Sequence, residues 1–210
     1  QVSQAYDVEK GIYVAWNAIK LNKLNDTQKA KIRDEIKILV DIKDKHANVL
    51  NIHSSWFKKE ENTVVFITDL FMSGSLHHFI QNVKQIKIKV LKKWCAQLLD
   101  GISFLHSKNI IHRDIKCNNI FINGTTGNIV IGDFGIARVV SSEGNASSIL
   151  GTPEYMAPEI YDEKYSKETD IYSFGMCVLE MVAQEVPYSE CSNFAQIWKK
   201  VVGQNPPDVL

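Results

Sequence analysis

The chain has 210 residues, room for one large domain or two small lobes, and its 45% hydrophobic and 23% charged content is that of an ordinary globular protein. Its 24 basic residues balance 24 acidic ones, so no cationic surplus points to nucleic acid. No run of about 18 apolar residues offers a membrane span. The opening QVSQAYDVEK lacks a leader pattern, and the four cysteines, with no Cys-x-x-Cys pair, read as free thiols of a reducing cytoplasm.

In chain order, residues 1–24 carry strand signals. Ile12, Val14 and Trp16 alternate with Tyr13, Ala15 and Asn17, which gives a strand two distinct faces. Residues 26–44 predict a helix, with Asp26 as N-cap and Ile32, Ile36, Leu39 and Val40 as its apolar stripe. Two further strands are expected over Val49–Phe57 and Thr63–Asp69, with the polar Lys58–Asn62 turning between them. The pattern then changes at Met72-Ser-Gly-Ser-Leu76. Helices are predicted from Leu76 to Gln81, over Val90–Ser107 with Trp94, Leu98, Ile102 and Leu105 on one face, over Asp170–Ala183 and over Phe194–Val202. A β-rich first third followed by an α-rich remainder describes an α+β fold of two lobes, divided as residues 1–71 and 72–210.

The chemistry concentrates in two short runs. Residues 112–119 read His-Arg-Asp-Ile-Lys-Cys-Asn-Asn, and residues 133–135 read Asp-Phe-Gly, with a hairpin expected between them. Phosphoryl transfer needs an acceptor for a hydroxyl proton, a cation on the γ-phosphate and oxygen ligands for Mg²⁺. Asp114, Lys116, Asn119 and Asp133 supply these, with Asn119 and Asp133 as the metal ligands, while His112 reads as packing beneath the loop. Further on comes Gly151-Thr-Pro-Glu-Tyr-Met-Ala-Pro-Glu159. This segment resembles the end of a kinase activation loop, a resemblance that implies Thr152 in the substrate loop and, with Lys116, the Ser/Thr rather than the tyrosine pattern. The hydroxyl-rich stretch before it offers Ser147 and Ser148 as regulatory phosphosites, with Arg113 a partner for such a phosphate.

Taken together these motifs resemble the eukaryotic protein kinases over essentially the whole chain. Val14-Ala-Trp-Asn17, Lys92-Lys-Trp-Cys95-Ala-Gln, Cys117-Asn-Asn-Ile-Phe-Ile122, Tyr172-Ser-Phe-Gly-Met-Cys-Val-Leu-Glu-Met181 and Pro187-Tyr-Ser-Glu-Cys191 narrow the resemblance to the with-no-lysine (WNK) kinases. The resemblance implies a two-lobed kinase fold, ATP and Mg²⁺ as cofactors, and transfer of the γ-phosphoryl group to protein hydroxyls. It also implies Ste20-related kinases among the substrates, in ion and osmotic homeostasis. The alternative is a catalytically weak pseudokinase or scaffold.

For the nucleotide end, the resemblance places Ala15 against the adenine, Thr68 as gatekeeper, and Asp69, Leu70 and Phe71 as the hinge. Glu35 would pair with the phosphate-binding lysine, and Asp170 would anchor the catalytic loop. Two registers remain for that lysine. In one, Asn17 stands in its slot and the cation lies in a glycine-rich loop before Gln1. In the other, Lys20 is the lysine itself. The resemblance further predicts a fragment, begun after that loop and ended before the last helices, where a partner for Glu159 would lie. WNK kinases usually carry Asp-Leu-Gly-Leu, beside which chloride binds; Asp133-Phe-Gly-Ile136 departs from that pattern.

Overall fold

The computed structural model describes residues 2–22, 25, 29, 32, 36, 40, 45–132, 152–162 and 166–210. Its first part is an antiparallel sheet of strands β1 (Val2–Asp7), β2 (Ile12–Lys20), β3 (Ile52–Lys58) and β4 (Thr63–Asp69) in the order β1-β2-β4-β3. The β1–β2 turn is written in its residues. Asp7 Oδ1 accepts from the backbone N–H groups of Glu9 and Lys10 at 3.1 and 3.0 Å, and Gly11 closes the turn at φ 65°, where a side chain would strain the backbone. The register then fixes the neighbours that matter below: Ala15 lies opposite Thr68, and Asn17 opposite Phe66. Under the sheet, Leu21 and Val64 pack with Ile32 and Ile36, which are helical as their spacing predicts. Lys29 and Val40 are helical too, whereas Asp26, Glu35 and Leu39 of that predicted helix lie outside the described residues.

The second part is helical: α1 (Leu76–Asn82), α2 (Ile88–Ser107), α3 (Lys167–Ala183) and α4 (Phe194–Val202), with a hairpin of β5 (Ile120–Ile122) and β6 (Ile129–Ile131) between α2 and α3. Ser75 and Asn193 cap α1 and α4 by accepting from His78 N–H and Gln196 N–H at 3.2 and 3.0 Å. All four residues of the predicted α2 stripe are buried, and Trp94, Leu98 and Ile102 form the main core with Leu76, Ile80, Ile120, Ile129, Ile131 and Met181. Two helices start before their apolar periodicity does. The exposed Ile88 and Lys89, and the exposed Glu168, give no core-facing signal. Asp170 consequently lies inside the first turn of α3 rather than at its cap.

The expected strand over Val49–Phe57 divides. Its first residues leave the sheet and join the hairpin: Leu50 N–H donates to Ile131 O at 2.7 Å, Ile131 N–H to Asn48 O at 2.8 Å, and Asn48 Nδ2 to Ile129 O at 2.7 Å. Strand signals do not name a partner, so this stitch between the two parts is invisible to periodicity.

Helix α2 can approach β6 because Gly101 has no side chain. A Cβ there would stand 2.8 Å from Ile131 Cδ1 and 3.0 Å from Asn48 O. Alanine gains about 1 kcal/mol in helix propensity, but overpacking costs about 1–3 kcal/mol and one of the opposing atoms is backbone. Gly101→Ala is therefore expected to lower stability by about 1 kcal/mol, read as a reduced urea midpoint with an unchanged slope.

Candidate active site

Helix α2 ends at Ser107, and the chain turns through residues 108–111 into the loop that carries Asp114. The first turn of α3 holds this loop. The buried Asp170 carboxylate accepts from His112 N–H through Oδ2 and from Arg113 N–H through Oδ1, both at 2.9 Å, and His106 Nε2 reaches Oδ2 at 2.7 Å. Arg113 is held at φ 65°, a left-handed conformation that a non-glycine residue adopts only when its surroundings impose it.

His112 is buried at 2% exposure and bridges two segments. The Asp114 N–H lies 3.3 Å from Nδ1, and Gly132 O lies 3.0 Å from Nε2. A carbonyl can only accept, so Nε2 carries the proton and Nδ1 accepts. The imidazole thus ties the Asp114 loop to the residue immediately before Asp133. The backbone adds a second tie, Gly132 N–H to Asn119 O at 2.8 Å. Gly132 has no room for a side chain, since a Cβ would lie 2.7 Å from Phe121 Cε2 and 3.1 Å from Leu50 Cδ2.

Asp114, Lys116, Asn119 and Thr152 meet at one point. Asn119 Nδ2 donates to Asp114 Oδ2 at 2.7 Å and to its backbone oxygen at 2.9 Å. Lys116 Nζ stands 3.4 Å from Oδ2. Thr152 Oγ1 donates to Asp114 Oδ1 at 3.1 Å while accepting from Lys116 Nζ at 2.8 Å. A hydroxyl is thereby held between a cation and a carboxylate, its proton on the carboxylate. Asp133, Ser147 and Ser148 lie outside the described residues.

The second cluster lies where Ala15 of β2 meets the end of β4. Ala15 and Thr68 are buried across the β2–β4 ladder, and Asn17 Nδ2 reaches Thr68 Oγ1 at 3.2 Å. Asp69 Oδ1 pairs with His53 Nε2 at 2.8 Å, and Phe71 stacks on Phe121 with ring centroids 5.7 Å apart. Lys20 is exposed at the far end of β2 and paired with Thr63. Strand alternation turns it to the face opposite Ala15 and Asn17, so it is not brought to this cluster.

The model of the protein kinase domain matches residues 1–205. The chain belongs to the protein kinase domain family. Its relatives include the serine/threonine-protein kinase WNK of Caenorhabditis elegans, 45% identical over 99% of this chain and 11% of that protein. WNK8 of Arabidopsis thaliana is 44% identical over 100% of the chain and 37% of its own length. The probable WNK5 kinase of Oryza sativa subsp. japonica is 42% identical over 100% and 65%. The chain thus spans between 11% and 65% of the length of these relatives. Among solved structures, Rad53 1–466 in complex with AMP-PNP superposes with a TM-score of 0.80 at 23% identity, over 98% of this chain and 50% of that one. At that identity the likeness shows the fold alone, and it is the two-lobed kinase fold.

One residue of this kinase domain lies within the Tyr172–Met181 motif but received no role from the sequence. Glu180 on α3 is fully buried; Tyr155 OH donates to its Oε2 at 2.6 Å and His77 Nδ1 meets its Oε1 at 2.7 Å. Burial first, and the Glu180 charge second, push the Tyr155 hydroxyl far above its ordinary range, so it stays a donor. Ser173 Oγ also donates to Tyr155 O at 2.7 Å, which pins the Thr152 turn to α3. The available signal was a lone acid in the apolar run Val178-Leu-Glu-Met181.

Proposed function

We propose that this domain is the catalytic part of an ATP-dependent protein Ser/Thr kinase of with-no-lysine type, which transfers the γ-phosphoryl group to protein hydroxyls. The observation that carries the reading is the Thr152 hydroxyl held between Lys116 and Asp114. A substrate serine or threonine presented beside it would meet the same pair. Asp114 would orient that hydroxyl and take its proton, and Lys116 would offset charge developing on the transferred group.

The residues present fit Mg²⁺. With the Asn119 amide nitrogen committed to Asp114, its oxygen is the atom left for a cation, and Asp133 adds a carboxylate. One carboxylate and one neutral oxygen, completed by phosphates and water, suit this ion. When bound, Mg²⁺ neutralises phosphate charge. At the other end, Ala15, Thr68, Asp69 and Phe71 would hold the adenine. Asn17 stands where a lysine is usual and Lys20 faces away, which together support a phosphate-binding cation from outside β2. Glu35 is its proposed partner, Ser148 and Ser147 are the proposed phosphosites, and Thr152 is the substrate-loop residue. Ste20-related kinases acting in ion and osmotic homeostasis are the substrates proposed from the resemblance. Cytoplasmic action agrees with four free cysteines, and no described helix is long and apolar enough to cross a membrane.

Asn17 also favours a second reading, a scaffold that binds partners without catalysis. Transfer of labelled phosphate from ATP by the full-length protein separates the two. Asp133→Ala is expected to abolish transfer, and Lys20→Met to leave the KM for ATP within about twofold, as an exposed substitution outside the site should. No transfer by the unsubstituted protein, or transfer indifferent to Asp133→Ala, would leave the scaffold. Loss of ATP use in Lys20→Met would place the cation on β2 and overturn the with-no-lysine assignment.

A further inference from the structure

The geometry points to Asn17 as a positioning residue for base selection: it fixes the Thr68 hydroxyl so that the cleft meets the six-position of a purine with acceptors only, favouring a 6-amino over a 6-oxo base. This rests on reading Ala15, Thr68, Asp69 and Phe71 as the adenine site.

Asn17 Nδ2 lies 3.2 Å from Ala15 O and 3.4 Å from Phe66 O. Both are carbonyl oxygens with no proton to give. The nitrogen of the amide, not its oxygen, must therefore face them. That nitrogen also lies 3.2 Å from Thr68 Oγ1, so the hydroxyl oxygen accepts. The Thr68 proton is thereby turned away from Asn17, toward Asp69 O at 3.3 Å. A relay N–H···O–H···O=C runs from the lysine slot of β2 to the carbonyl that ends β4. A lysine at position 17, extended toward phosphate, would not donate at this point, so the relay follows from the exchange of lysine for asparagine.

The consequence is chemical. An exocyclic amine at the six-position finds the Asp69 carbonyl. A six-oxo group finds that carbonyl's lone pairs and a hydroxyl whose proton is already placed. A site that leaves polar atoms unpaired in this way discriminates more strongly than one that only fits shape. Without Asn17 the hydroxyl loses the donor that orients it, and it can turn to donate to a six-oxo group.

The test compares ATP with inosine triphosphate, which differs only at the six-position. Dissociation constants are measured with Mg²⁺ on the full-length protein, for the unsubstituted form, Asn17→Leu, Thr68→Val and the double variant. The preference for ATP should fall about fivefold in Asn17→Leu, the size of one neutral hydrogen bond. Thr68→Val in the same background should restore the preference, because no hydroxyl is left to turn. If Asn17→Leu does not fold, Asn17→Val carries the same expectation. An Asn17 variant that weakens both nucleotides equally shows a structural role only and overturns the inference while leaving the adenine site standing. Failure of the unsubstituted protein to bind ATP overturns the adenine site itself.

Discussion

Asp114→Asn is expected to lower kcat by about 10²–10⁴-fold while leaving ATP affinity and thermal stability close to those of the parent. The contrast follows from the donors around the carboxylate. Asn119 Nδ2 occupies Oδ2, while Thr152 Oγ1 reaches Oδ1. An amide of the same shape fits if its oxygen stays toward Asn119 and its nitrogen replaces Oδ1. Thr152 can then turn its hydroxyl and accept. One hydrogen bond is reversed, and none of the charged neighbours moves. What is lost is proton acceptance, since an amide cannot take the hydroxyl proton. Asp114→Ala is the less clean variant, because it removes the acceptor of a buried amide and the partner of Lys116, at a cost of about 1–3 kcal/mol. Initial rates against ATP concentration and a melting curve for each variant check the statement. An Asp114→Asn protein within tenfold of the parent kcat would remove Asp114 from the chemistry.

That experiment targets a residue legible in the sequence, and the reason it was legible is local. The run from His112 to Asn119 is contiguous, and its meaning depends on spacing. Helical stripes were equally readable where one face is buried, as for Trp94, Leu98, Ile102 and Leu105. Three things were not local. The pairing of residues 48–50 with β6 rather than with the sheet depends on a partner far along the chain. The burial of Glu180 depends on Tyr155 and His77, brought from two other elements to cancel the cost of an interior acid. The Asn17 amide reads as a defect in one dimension. In three it donates to a neighbouring strand, and only the β2–β4 register brings Thr68 within its reach.

The largest loss of stability is expected at Asp170. Its carboxylate joins the end of α2, the Asp114 loop and the start of α3 through His106, His112 and Arg113. It is 1% exposed, and its place in the first turn of α3 sets it at the positive end of the helix dipole. Asp170→Ala takes the acceptor from two backbone donors and one imidazole at once. Breaking such a buried charged arrangement costs about 3–5 kcal/mol. Part of the present binding energy holds Arg113 at φ 65°, a conformation that itself costs about 1–3 kcal/mol. Without Asp170 the loop can relax toward φ below zero, carrying Asp114 away from Asn119 and Thr152. Stability and transfer should therefore fall together, unlike in Asp114→Asn. Arg113→Gly separates the two causes, since glycine meets the same φ without strain. In the Asp170→Ala background it should recover about 1 kcal/mol in urea unfolding and part of the lost rate. If Asp170→Ala instead unfolds at the parent midpoint, the loop is held by other contacts and Asp170 is only a residue of the first turn of α3.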